Sequence, residues 1–132
     1  AAVRGLGDVY KRQIGPKAVP INFLIPIEGT GLEDVDTSYL SAEYCLKVLC
    51  LARLLNPDSD IRCAAGREVY LKGKEKFMFY AVDSIFASGY LTAGGQGIDD
   101  TIKMITDAGF QYYIDPDYNK KEAVTYMKVP EI

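Results

Sequence analysis

The sequence predicts an α/β fold with parallel strands, on three observations. Short apolar runs rich in β-branched residues alternate with stretches whose apolar residues recur at helical spacing. Gly, Pro and Asn turn signals separate them. With 132 residues, 48% of them hydrophobic and 25% charged, the chain has the make-up of one ordinary globular domain.

The first strand is read over residues 19–27 (VPINFLIPI), ending in the turn Glu28-Gly29-Thr30-Gly31. On a strand, Asn22 and Leu24 share one face, and Ile21 and Phe23 the other. Ser41 caps a helix, with Glu43 favourable in its first turn. Tyr44, Cys45, Val48, Leu49, Ala52 and Leu55 form its apolar stripe, and Asn56-Pro57 stops it. A second strand follows at residues 61–66 (IRCAAG), a second helix at 74–81 (KEKFMFYA) and a third strand at 84–87 (SIFA). Residues 90–96 (YLTAGGQ) read as a glycine-containing loop. Asp99 and Asp100 suit the positive end of a third helix whose buried side is Ile98, Ile102 and Ile105. Gly109 ends it, and residues 110–114 read as a short strand. Residues 115–132 form a polar, Tyr-containing tail that the pattern does not place. Strands alternating with helices imply parallel βαβ units with right-handed crossovers. About three such units make either a small open sheet or the C-terminal portion of a (β/α)8 TIM-type barrel.

Residues 1–13 (AAVRGLGDVYKRQ) lack periodicity, and DVYKRQ resembles one reading frame of a transposon-end adaptor. They are read as a cloning or assembly scar, and the true N-terminal part of the protein is expected to be missing.

Composition excludes several functions. The formal charge is −3 and no basic run occurs, so neither nucleic acid nor an anionic membrane surface is an expected partner. No apolar stretch approaches the ~20 residues of a membrane span. Histidine is absent, which removes Ser-His-Asp and Cys-His catalysis and any His metal site. Three Cys do not make a disulfide framework, and a reducing cytoplasm is expected. Cys45 and Cys50 diverge on one helix, Cys63 has helix-packing parity, and all three are read as small buried apolar residues. Gly94-Gly95-Gln96-Gly97 precedes a helix but lacks the full dinucleotide pattern.

Arg62 is the most informative residue. Alternation puts Arg62 and Ala64 on one face of the second strand, and Ile61, Cys63 and Ala65 on the face that suits helices. A guanidinium on the other face is costly unless it meets an anion or an electron-rich partner. The alternative is an Arg on a solvated or edge face. Asn22 and Ser84 can share the Arg62 face, as a β/α barrel builds a ligand site. Alternatively, both satisfy local backbone groups.

Three segments, VPINFLIPIEGTGLE, CLKVLCLARLLNPDSDIRCAAGRE and DSIFASGYLTAGGQ, resemble in content, order and spacing the biotin synthases, a family of radical S-adenosylmethionine enzymes. The resemblance covers about residues 19–114. It implies that residues 14–114 are the C-terminal part of a radical S-adenosylmethionine barrel, including the biotin- and thiamin-synthesis-associated region. It implies an enzyme of sulfurtransferase type that inserts sulfur into dethiobiotin to form biotin. Such enzymes carry a [4Fe–4S] cluster on a CxxxCxxC motif, S-adenosylmethionine, and a [2Fe–2S] cluster with three Cys ligands and one Arg ligand. By this resemblance Arg62 is the Arg ligand, Asn22 contacts dethiobiotin, and Ser84 lies near the [2Fe–2S] cluster. A homodimer and external electron and sulfur donors are also implied for the intact enzyme.

The departures are specific. The CxxxCxxC motif and the three cluster Cys are absent, so this chain alone is expected to be inactive and to bind neither cluster nor S-adenosylmethionine. Gly31 stands where the family often has Pro. Asp83 stands where Asn is usual, and is expected to add a charge near the site. A self-contained α/β module holding an anionic ligand, a related radical enzyme and an interaction domain without a small-molecule site remain as competing readings.

Overall fold

The computed structural model describes residues 13–86, 97–114 and 124–128. Its elements are β1 (Ala18–Ile21), α1 (Ala42–Leu55), β2 (Asp60–Cys63), the single turn α2 (Arg67–Tyr70), a 3-10 helix (Glu75–Tyr80), β3 (Ser84–Phe86), α3 (Ile98–Asp107), β4 (Gln111–Ile114) and β5 (Val124–Lys128). The expectations for residues 1–12, for the glycine loop at 90–96 and for 115–123 and 129–132 lie outside the described residues.

The sheet has the order β1-β2-β3-β5-β4. The first three strands are parallel and in chain order, with Pro20 opposite Arg62 and Arg62 opposite Ser84. That is the α/β pattern expected from the alternation of strands and helices. The other half departs from the expected all-parallel arrangement. β5, from the tail that the sequence pattern left unplaced, runs antiparallel to both β3 and β4. β4 therefore does not pair with β3. The segment VTYMK carries the β-branched and aromatic residues that favour a strand, and it takes the edge of β3 that βα repetition would give to another parallel strand.

β1 is shorter than expected. Phe23 N–H still donates to Ala65 O at 2.9 Å, but the chain after β2 then turns at Gly66, and among the described residues the ladder goes no further. The turn needs glycine. Gly66 has φ +88°, and a Cβ there would lie 2.8 Å from the Cβ of Phe23 and nearer still to its carbonyl oxygen.

The ends of α1 match the sequence. Ser41 has extended backbone and its Oγ accepts from Tyr44 N–H at 3.2 Å. Asn56 ends the helix, donating from both its backbone N–H and its Nδ2 to Ala52 O, each at 3.0 Å. Residues 75–80 form a 3-10 helix in place of the expected regular helix.

One face of the sheet is covered and holds the core. Val19, Ile61, Cys63 and Ile85 pack beneath Cys45 and Leu49 of α1, with Leu71, Met78, Phe79, Ile105 and Phe110 closing the cluster. In α3 the buried residues are Thr101 and Ile105, one turn apart, whereas Ile98 is 38% exposed because it sits at the helix start. Cys45 and Cys63 are buried as expected, but Cys50 is exposed. Five residues turn a helix through about 500°, which carries Cys50 well off the face of Cys45. No helix among the described residues is long and apolar enough to cross a membrane.

Candidate functional site

The face of the sheet opposite the core carries the polar residues. Alternation along β2 sends Ile61 and Cys63 to the core and Asp60 and Arg62 to the other face, while Ser84 in β3 stands in register with Arg62. These three side chains close a ring. Arg62 Nε donates to Ser84 Oγ at 2.9 Å, Arg62 Nη2 donates to Asp60 Oδ2 at 2.6 Å, and Ser84 Oγ–H donates to Asp60 Oδ1 at 2.6 Å. The Arg62 and Asp60 side chains are 15% and 18% exposed, and Ser84 is fully buried. The partner that a guanidinium on this face requires is therefore supplied within the chain, by an opposite charge two residues away. Asp60 was missed in the sequence reading. The signal was present, since a residue two before Arg62 on a strand must share its face.

Asn22 lies just past β1, two residues beyond Pro20, the register partner of Arg62. Its Oδ1 accepts from Ala65 N–H at 3.1 Å, and the residue is exposed. That bond serves a local backbone group at the point where β1 and β2 separate. The structure thus joins Arg62 and Ser84 directly and sets Asn22 at the end of the neighbouring strand.

Asp83 does not bring its charge to this face. One residue before Ser84, it points the other way: Asp83 Oδ2 accepts from Ile61 N–H at 2.7 Å and pairs with the Arg53 guanidinium of α1. Arg53 also donates from Nη1 to Pro57 O and Ser59 O, both at 3.0 Å, and from Nε to Ala81 O at 3.2 Å. The Arg53–Asp83 pair thus ties the end of α1 to the starts of β2 and β3. Alternation along the third strand, applied to Asp83 as it was to Ser84, predicts this outcome.

A second arginine escaped sequence reasoning. Arg67, the Arg of the GRE segment, is 1% exposed. Its Nη1 donates to Phe86 O, at the end of β3, at 2.7 Å. Its Nη2 lies 3.1 Å from Glu68 Oε1, but neither Nη2 nor Nε makes a hydrogen bond. Nothing in a one-dimensional pattern distinguishes such a buried arginine from a solvated one on the first turn of a helix.

The cysteines offer no thiolate to this face. Burial pushes the Cys63 thiol up to about 12, against a smaller opposing pull from Arg67, and burial also raises that of Cys45. Cys63 belongs to the core side of β2. Among the described residues, no group of three or more His, Cys, Asp or Glu could hold a metal ion. A surface depression between the 3-10 helix and α3, lined by Glu75, Lys76, Asp100, Lys103 and Asp107, lies on the helical side of the sheet.

Comparison with known proteins agrees with the segments that carried the resemblance. The family model described as the biotin and thiamin synthesis associated domain matches residues 20–111, a span containing Asn22, Asp60, Arg62 and Ser84. The chain is 48% identical over 106 residues to biotin synthase of Salinibacter ruber, an alignment covering 80% of this chain and 29% of that protein. It is 45% identical over 93 residues to biotin synthase of Leptospira interrogans, covering 70% of the chain and 26% of that protein. To biotin synthase of Geobacillus thermodenitrificans it is 43% identical over 105 residues, again 80% of the chain and 31% of that protein. The chain therefore spans less than a third of the length of these relatives. With most of its length matched by one family model, the chain belongs to the biotin and thiamin synthesis associated domain family.

Proposed function

We propose that this chain is the C-terminal part of a biotin synthase and that the Asp60–Arg62–Ser84 face is its share of the site where sulfur enters dethiobiotin. The observation that carries this reading is a largely buried guanidinium on the face opposite the core, fixed by Ser84 at 2.9 Å and Asp60 at 2.6 Å, in a segment matched by biotin synthases.

The donor chemistry fits a single ligand to a [2Fe–2S] cluster. Arg62 is held in place and turned away from the core, whereas the Cys63 thiol is neutral and belongs to the opposite face. The other three ligands then belong to the rest of such an enzyme. The sequence has no CxxxCxxC motif to hold the [4Fe–4S] cluster. In the intact enzyme the two clusters and S-adenosylmethionine supply the radical chemistry and the inserted sulfur.

The chain's own residues bind and orient. Arg62 presents a planar guanidinium whose rotation is blocked by two acceptors on different strands. Ser84 accepts from Arg62 and donates to Asp60, which fixes the direction of its own proton. Asn22 has its Oδ1 engaged by Ala65 N–H, so its Nδ2 is the group oriented to donate to an acceptor of dethiobiotin. Because Arg62 already has a counter-ion, a self-contained module that traps an external anion is the weaker reading. A barrel completed by upstream strands, a homodimer and external electron and sulfur donors belong to the same proposal, as does a cytoplasmic location.

The test is genetic and uses a complete enzyme. This chain's residues 20–111 replace the matching segment of the Salinibacter ruber protein, and the chimera is asked to support growth of a biotin auxotroph on dethiobiotin. Growth, abolished by Arg62→Ala, is the expected result. A folded chimera that fails to support growth, or one that tolerates Arg62→Ala, overturns the proposal.

A further inference from the structure

We propose that Asp60 is the positioning residue for Arg62, holding the guanidinium in the orientation from which it meets the cluster; this rests on the reading of Arg62 as a cluster ligand. Both Asp60 carboxylate oxygens are committed to that task, one to Arg62 Nη2 and the other to Ser84 Oγ, each at 2.6 Å. Ser84 in turn accepts from Arg62 Nε at 2.9 Å. A flexible side chain held at two nitrogens by two bonded acceptors cannot rotate about either without breaking a bond.

Folding alone gives Asp60 little reason to be there. Its place in the sheet is set by its backbone, with Asp60 N–H donating to Lys17 O at 2.9 Å and Ala18 as its register partner. Neither contact uses the carboxylate. Ala18 offers no polar side chain that would require an acid opposite it. A carboxylate desolvated to 18% exposure is costly, and both of its oxygens are spent on orienting Arg62 and Ser84. Outer partners of this kind govern how firmly a ligand holds its metal.

The experiment uses the complete chimera, loaded anaerobically with iron and sulfide. It compares wild type, Arg62→Ala, Asp60→Ala and Asp60→Asn. Two readouts are taken besides activity: the visible absorption and circular dichroism of the [2Fe–2S] cluster, and its half-life under chelator challenge. Asp60→Ala is expected to shift the spectrum and shorten the half-life about 10-fold. Asp60→Asn, which keeps one accepting oxygen without the charge, is expected to shorten it by a smaller factor. If Arg62→Ala alters the cluster while Asp60→Ala leaves spectrum and half-life at wild-type values, the positioning role is overturned and the ligand reading survives. If Arg62→Ala itself leaves the cluster unchanged, the ligand reading fails and this inference with it. Should Asp60→Ala not fold, Asp60→Asn decides, and a wild-type spectrum and half-life in that variant overturn the proposal.

Discussion

Gly66→Ala tests the point where the site's two strands separate. The residue sits at φ +88°, where a side chain costs about 1–2 kcal/mol. The new Cβ would also fall 2.8 Å from Phe23 Cβ and press on the Phe23 carbonyl, so the end of β1 must move. That movement threatens two bonds, Phe23 N–H to Ala65 O at 2.9 Å and Ala64 N–H to Ile21 O at 2.8 Å. Each contributes about 1 kcal/mol, so the expected loss is about 3–4 kcal/mol in total. Gly109→Ala is the control. It shares the positive φ, at +84°, but a Cβ there meets nothing within 4 Å, so only the backbone part of the loss, about 1–2 kcal/mol, remains. Urea unfolding of the chimera, with hydrogen exchange at the Phe23 and Ala64 amides, measures both. Equal losses for the two variants, or unchanged protection at Phe23 in Gly66→Ala, would refute the close approach of β1 and β2.

Three further outcomes are expected. Asp83→Ala leaves the Ile61 N–H without this acceptor and the Arg53 guanidinium without its counter-charge, so it should destabilise by about 1–3 kcal/mol in urea unfolding while leaving the cluster spectrum unchanged; a changed spectrum with wild-type stability would place Asp83 at the site after all. Arg67→Ala should destabilise by about 3–5 kcal/mol, by removing a filled volume and the hydrogen bond to Phe86 O, whereas Arg67→Met should recover part of the loss; equal stability of the two variants would mean that packing contributes nothing there. A thiol reagent at pH 8 should modify Cys50 rapidly and spare Cys45 and Cys63 until the protein unfolds. Cys63 retains its proton up to about 12, whereas an unfolded thiol loses it near 8.5, so stability should fall as pH rises through that window; a flat profile there would contradict the burial of Cys63.

The readable parts of this fold are those with local causes. Ser41 and Asn56 bound α1 because caps act within one turn, and the parity of β2 and β3 follows from period-two geometry. The site face was legible for the same reason, as Arg62 and Ser84 needed only correct parity and parallel neighbours. Asp60 was equally legible, had the strand been started one residue earlier. What was not legible depends on distant pairing. The place of β5 is decided by the open edge of β3, a fact absent from VTYMK itself. Burial of Arg67 depends on the end of β3, 19 residues away, offering a carbonyl. The run after Phe23 has a composition that suits a strand, but a ladder needs a partner, and the chain after β2 turns aside at Gly66.

The central claim is that Arg62 serves as a nitrogen ligand on the face it shares with Asp60 and Ser84. Pulsed electron paramagnetic resonance of the reduced [2Fe–2S] cluster, in a chimera grown with 15N-arginine, tests it most directly. The account predicts a strongly coupled 15N nucleus that disappears in Arg62→Lys. A coupling that survives Arg62→Lys, or none in the wild-type chimera, would contradict it.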